Sequence, residues 1–235
     1  MAPSPEEHVL EIGPGRAALT EALLEAVPRM TVVEIDRDLA RALRERFPAE
    51  RVRVVEGDVL EVSWSDAGVP VVLVGNLPYN ISKPVAMRMV EERGRVGRAV
   101  LTFQREVAQR LTASPGTGAY GPLTVLTGRA FTIERLFDLP PGAFRPRPKV
   151  VSTVTRWLPL PASSLPDALV RPLRETLRAS FAHRRQTLLK NLREALPGGE
   201  AAARALLAAA EIDGGLRAEA VLPEGFVRLA RLWEL

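Results

Sequence analysis

The chain has 235 residues, of which 46% are hydrophobic and 26% charged, and carries a net charge of +4. This length supports one full hydrophobic core with a smaller second domain, and this composition excludes a disordered chain. The absence of cysteine excludes disulfides, thiolate metal ligation and a cysteine nucleophile; with only His8 and His183 to offer imidazole, no metal is expected.

The apolar runs are strand-sized and the opening MAPSPEEH has no basic region followed by an apolar core, so a soluble, cytoplasmic protein without a membrane partner is expected. The charge is uneven. Residues 140–200 hold 11 Lys/Arg against 4 Asp/Glu, which predicts a polyanionic partner for that block.

In chain order, β-rich runs alternate with amphipathic helical patterns: HVLEI then ALTEALLEAV, MTVVEI then DLARALRERF, RVRVVEG, VVLVG then KPVAMRMVEERG, RAVLTF then REVAQRL. That alternation predicts a doubly wound, Rossmann-like α/β domain around a parallel sheet. TIERLFDL and VSTVTRWL are separated by PPGAFRPRPK and not by a helix, so they are expected to add an antiparallel edge. The Pro- and Ser-rich LPLPASSLPD marks a boundary, giving an α/β domain over 1–160 and a small all-helical domain over 161–235. The helical patterns of the latter are ALVRPLRETLRASF, RRQTLLKNLREAL, AAARALLAAAE and PEGFVRLARLWEL.

Candidate site residues fall at the carboxyl ends of successive strands, where open α/β sheets bind ligands. In EIGPGRAALT, Gly13 and Gly15 allow a tight turn and close approach of backbone to a ligand; such a turn serves nucleotides, flavins or a plain reversal of the chain. Glu34 ends the second strand about 20 residues on, where a carboxylate accepts both hydroxyls of a ribose, although Glu34 or Asp36 could equally cap the next helix. Asp58, in EGDV, is placed to accept an adenine amine. The fourth strand delivers Asn76, Leu77, Pro78 and Tyr79. An amide oxygen and a backbone carbonyl accept the two hydrogens of an aromatic amine, proline stiffens the turn, and a phenol ring stacks on a base. Taken alone, the same four residues also describe a turn followed by a core tyrosine.

EIGPG, VVEID, EGDV, GNLPYNIS, TFQREVAQRL, AYGPLTVL, LPPGAFRPRPKV and SFAHRRQTLLKNL, in that order, resemble the motifs of the ribosomal RNA adenine N6-dimethyltransferases. The resemblance implies S-adenosylmethionine as cofactor, held by Glu11, Gly13, Gly15, Glu34, Ile35, Asp58, Val59 and Asn76. It implies a target adenine held by Asn76, Leu77, Pro78 and Tyr79 with Phe144 as the far wall of the pocket. A helical base could not reach such a pocket, so the adenine must be single-stranded or flipped out. Arg145, Arg147 and Lys149 beside that wall, with Arg184, Arg185 and Lys190 on one predicted helix, would grip RNA phosphates.

The C-terminal motifs are more similar to the small-subunit enzymes, so small-subunit ribosomal RNA and its precursor particle are the implied partners of a monomeric enzyme. An assembly factor with impaired catalysis and a large-subunit methyltransferase of the resistance type are the alternatives. Family members carry some thirty further N-terminal residues with Phe-Gly-Gln and Asn-Phe-Leu motifs; MAPSPEEH has no counterpart, so a cofactor site open over the methionine half is expected. Ala17 stands where the third glycine of the loop is usual, and Gln186 where a lysine is common.

Overall fold

The computed structural model describes residues 3–4, 6–64, 70–145 and 147–233, with Ser163 described by its backbone alone. Five parallel strands, β1 (His8–Ile12), β2 (Met30–Glu34), β3 (Val52–Glu56), β4 (Val71–Asn76) and β5 (Val96–Gln104), are joined by helices α1 (Ala18–Leu24), α2 (Arg37–Arg46) and α3 (Ser82–Glu91) among the described residues. After β5 come α4 (Arg105–Leu111), α5 (Pro122–Ala130) and the strands β6 (Phe131–Leu139) and β7 (Ser152–Pro159). Helices α6 (Asp167–Ser180), α7 (Leu188–Ala195), α8 (Gly199–Ala209) and α9 (Pro223–Arg231) complete the chain.

The sheet runs β3-β2-β1-β4-β5-β7-β6. β7 is antiparallel to β5 and to β6, the edge expected from two strands without a helix between them. Val9, Leu10, Val32, Val72 and Leu73 on the central strands are buried because helices cover both faces of the parallel part. Trp157 on β7 closes the far side, packing on Phe103 and Phe131 with ring centroids 5.8 and 5.6 Å away.

Strand order reverses between β1 and β4, the switch point of the fold. There Gly75 lies opposite Ile12. A β-carbon on Gly75 would stand 2.9 Å from the Ile12 carbonyl oxygen, so only glycine lets the two strands approach this closely.

Tertiary contacts divide the chain into two units, residues 1–108 with 131–159, and residues 109–130 with 160–235. In place of a single break near residue 160, the segment 109–130 groups with the C-terminal helices. Its helix α5 was missed in the sequence because PLTVLTGRA mixes glycine and β-branched residues and masks the helical period; Pro122 occupies its first turn, where the missing N–H costs nothing. In the second unit the rings of Phe181 and Phe226 pack 5.5 Å apart, and the Tyr120 hydroxyl donates to the Val221 carbonyl at 3.0 Å.

The single helix expected over RRQTLLKNLREAL is not formed. Thr187 caps α7 by accepting from the Lys190 N–H, and Asn191 holds the preceding turn by accepting from the His183 N–H and donating to the Ser180 and His183 carbonyls. Arg184 and Arg185 therefore lie in a turn before the helix that carries Lys190, and the three do not share a helix face.

Gly75→Ala is expected to destabilise the protein by about 1–3 kcal/mol, the usual cost of forcing atoms into a packed interior; a shift of the urea unfolding midpoint measures it, and an unchanged midpoint refutes the close-approach argument.

Candidate active site

β1 ends at Ile12 and the chain turns through Gly13 and Gly15, with φ of 63° and 56°. These left-handed values are open to glycine at no steric cost. Ala17 follows at φ 67°, a conformation costing an L-residue about 1–2 kcal/mol. Its methyl is wholly buried in the cluster of Val9, Val27, Val32 and Val74, which returns about 0.8 kcal/mol. Packing thus tolerates alanine at the third glycine position.

The turn is fastened to the next strand. The Gly13 N–H donates to the Val33 carbonyl at 2.9 Å, and the Gly15 N–H donates to Glu34 Oε2 at 3.1 Å. The other oxygen, Glu34 Oε1, accepts from the Asp36 N–H at 3.0 Å. Glu34 thus joins two strand-to-helix turns, and a carboxylate with about four lone-pair sites keeps acceptor capacity beyond these two bonds. Asp36 is the helix cap, accepting from the Asp38 and Leu39 N–H groups at 2.9 and 3.0 Å.

Glu11 is 2% exposed, and its Oε2 accepts from the Thr20 hydroxyl at 2.6 Å. Burial in the sheet pushes its carboxyl up to about 7; the Thr20 bond opposes that rise, and the nearby Glu34 charge adds to it.

β4 delivers an exposed Asn76 and a buried Leu77. The Pro78 carbonyl accepts from the Ile81 N–H at 3.1 Å and from the Ser82 hydroxyl at 3.2 Å, which sets the turn into α3. The Tyr79 hydroxyl lies 3.1 Å from Ser152 Oγ at the start of β7. Asn76, Leu77, Pro78 and Tyr79 line one open cavity of about 900 Å³ together with Glu11, Gly13, Gly15, Phe144, Arg145 and Arg147. Residues from β1, β4 and the β6–β7 loop, far apart in the chain, are thus gathered at one sheet edge.

Glu34, Ile35, Asp58 and Val59 do not line that cavity. Ile35 is 67% exposed, whereas Val59 is buried. Asp58 Oδ1 accepts from the Leu60 N–H at 2.8 Å. Its loop is clamped by Arg88 of α3, whose guanidinium donates to the Val59 and Val62 carbonyls and sits 4.8 Å over the Trp64 ring. Sequence reasoning missed Arg88, since its partners are backbone carbonyls without a residue signature. Ser152 and Thr20 escaped notice for a related reason: each is an ordinary strand or helix residue until its partner is known. Arg16, Leu19, Asp38 and Leu39 also line the cavity and were not singled out.

Among the basic residues, Arg145, Arg147 and Lys149 are exposed beside Phe144; Pro146 lies outside the described residues. Arg184 is committed differently. It donates to the Gly118 and Tyr120 carbonyls at 2.9 and 2.8 Å, and so braces the loop before α5. Arg185 and Lys190 are exposed.

The family model described as "Ribosomal RNA adenine dimethylase" matches residues 1–232. The chain belongs to this family. It is 43% identical over 227 residues to a "Ribosomal RNA small subunit methyltransferase A" of Aromatoleum aromaticum, covering 97% of this chain and 83% of that protein. A protein of the same name from Bordetella petrii is 41% identical over 229 residues, covering 97% and 85%. Among solved structures, a dimethyladenosine transferase from Plasmodium falciparum has a TM-score of 0.76 at 24% identity, covering 96% of this chain and 89% of that one. The 23S rRNA methyltransferase ErmE has a TM-score of 0.68 at 28% identity, covering 97% and 91%.

The raised Glu11 carboxyl predicts a pH dependence. From about pH 4.5 to 7 the folded state retains a proton that the unfolded chain has lost, so stability contributed below pH 4.5 is lost as pH rises through about 7. Glu11→Gln is expected to remove this slope, worth at most about 3 kcal/mol. Urea unfolding of both proteins from pH 4 to 8 checks it; parallel curves would refute it.

Proposed function

We propose that this protein transfers methyl groups from S-adenosylmethionine to N6 of adenine in small-subunit ribosomal RNA, giving N6,N6-dimethyladenosine. The observation that carries the reading is the opening of Asn76-Leu77-Pro78-Tyr79 onto the cavity shared by the glycine turn and Phe144. A pocket with an amide and carbonyl at its mouth, flanked by two aromatic rings, suits an aromatic amine on a planar base.

The residues present would hold the cofactor in two parts. Gly13 and Gly15 offer bare backbone at the cavity, while Glu34 and Asp58, outside its lining, would take the ribose hydroxyls and the adenine amine from the adjoining strand ends with the acceptor capacity left beyond their backbone bonds. Exposed Ile35 supplies an apolar surface for the flat ring. The bound sulfonium would supply an electrophilic methyl group.

The chain's own part is positioning. The Asn76 side-chain oxygen and the Leu77 carbonyl accept the two N6 hydrogens, which draws the nitrogen lone pair out of the ring and leaves it free for in-line attack. Tyr79, braced by Ser152, and Phe144 hold the base between them. Each transfer replaces one N–H hydrogen by methyl, and the proton leaves to water.

Arg145 and Arg147 at the pocket, exposed Lys149 just beyond it in the chain, and Arg185 and Lys190 on the helical unit are the proposed phosphate contacts. The unit of residues 1–108 with 131–159 would carry catalysis, and that of residues 109–130 with 160–235 ribosome binding, in a cytoplasmic monomer acting on a precursor particle. Among the described residues no helix is long and apolar enough to cross a membrane. The likeness to ErmE favours one second reading, a large-subunit substrate. Methylating purified, unmodified small and large subunits with labelled S-adenosylmethionine, then digesting the RNA to nucleosides, separates the two: dimethyladenosine in the small subunit alone is expected.

Asn76→Ala is expected to reduce transfer at least about a hundredfold, as loss of a preorganised hydrogen-bonding group does, while leaving the fold and cofactor affinity largely intact. Asp58→Ala is expected to weaken cofactor binding by about 1.5–3 kcal/mol in calorimetry. Wild-type turnover in the first, or wild-type affinity in the second, moves the site elsewhere.

The two kinds of arginine are also expected to part. Arg185→Gln with Lys190→Gln should lower the slope of log affinity against log salt by about 0.7–0.9 per contact at unchanged melting temperature. Arg184→Gln should instead lower the melting temperature, because two carbonyls lose their donor.

A further inference from the structure

β6 changes register at one point: Arg135 lies opposite Thr155, but Phe137 lies opposite Val154, so Leu136 is an inserted bulge residue. Bulges re-aim side chains. On one face Glu134 pairs with Arg156; on the other the Thr153 hydroxyl donates to Asp138 Oδ1 at 2.6 Å. Residues alternate along β7, so Ser152, Val154 and Arg156 share a face. Without the bulge Phe137 would point to the side of Asp138's partner; with it, Phe137 joins the face of Ser152.

Ser152 is the residue that braces Tyr79, and it lies opposite Leu139. Phe137 is two residues along β6 from Leu139, about 7 Å at strand spacing. It is 57% exposed, and its bulge neighbour Leu136 is 40% exposed. The loop 140–151 that begins just beyond it carries Phe144, Arg145, Arg147 and Lys149 and no acidic residue. An exposed aromatic ring at the foot of a loop whose charged residues are all basic, on the sheet face that supports the base pocket, has the chemistry of a stacking platform for single-stranded nucleic acid.

We infer that Phe137 stacks on an unpaired nucleobase directly adjacent to the target adenine, forming a second base subsite outside the methyl-transfer pocket. The inference rests on the RNA-methylating function proposed above. Its ligand is RNA because the loop is cationic, and any planar base suits it because stacking reads no hydrogen-bond pattern. Phe137 positions the strand and touches no reacting atom.

The test uses the full chain and a synthetic ten-nucleotide single-stranded RNA with one adenine flanked by uridines, plus two versions in which one neighbouring nucleotide is abasic. Wild type is expected to bind the intact RNA more tightly than one of the abasic versions. Phe137→Ala and Phe137→Leu should each lose about five- to a hundredfold on the intact RNA, and nothing on that abasic version. Phe137→Tyr should restore binding, and all three variants should bind cofactor as wild type does.

Equal affinity of wild type and Phe137→Ala for the intact RNA overturns the subsite and leaves the proposed function standing. An equal loss on intact and abasic RNA also overturns it, since the contact would then not be with a base. A change in sedimentation caused by Phe137→Ala overturns it by assigning this edge to a second copy of the chain. Failure of wild type to bind any of the RNAs while still binding cofactor overturns the subsite, and loss of methyl transfer to unmodified small subunits is the separate result that removes the functional reading.

Discussion

The parallel pairing of β1 with β4, Ile12 opposite Gly75, is the constraint on which the site depends. At this switch point one strand leaves into the glycine turn and the other into Asn76, so the distance between the two halves of the cavity is fixed by backbone pairing and not by flexible side chains. A side chain at Gly75 would meet backbone, which cannot move aside without disturbing the hydrogen bonds of the sheet. The central strands contribute little chemistry themselves, but they set the spacing of everything that does.

Around that axis the functional groups are held by second partners. Thr20 holds Glu11, the Gly15 and Asp36 N–H groups hold Glu34, and Ser152 holds Tyr79. These bonds run from strand ends to turns, helices and strands both near and distant in the chain, so the rim is a set of mutually braced turns. For a reaction that demands alignment of a lone pair with a departing group, such bracing places the orientational cost in folding and not in the encounter. Arg88 serves the Asp58 loop similarly, gripping main chain from α3.

What was legible in the sequence was local. The alternation of β-rich and helical runs predicts the doubly wound sheet, and the glycine turn and Asn76-Leu77-Pro78-Tyr79, each a few consecutive residues, do meet at one cavity, whereas Glu34 and Asp58 lie outside its lining. What was not legible was held by distant or anonymous partners. Arg184 was read with Arg185 as a phosphate contact, yet its guanidinium serves carbonyls of Gly118 and Tyr120, more than sixty residues away. The pattern over residues 184–196 predicts a longer helix than the observed α7, because the amphipathic period continues through the turn that Asn191 and Thr187 impose. The bulge at Leu136 has no sequence mark, since strand alternation hides a single inserted residue.

The Tyr120 hydroxyl is bonded to the Val221 carbonyl, 101 residues later, and α5 belongs to the unit built from the last helices. During synthesis, therefore, α5 leaves the ribosome with its apolar face unaccompanied. Its helical partner α6 begins only at Asp167, so at about 5–20 residues per second α5 waits roughly 2–10 s for it to appear. Over that interval β6 and β7 emerge and can complete the sheet, so the N-terminal unit has time to fold around a still-unpacked excursion. Slow decoding after residue 160 would lengthen the exposure of Val125 and Leu126, and such a chain would be vulnerable to aggregation at birth while being fully stable once made.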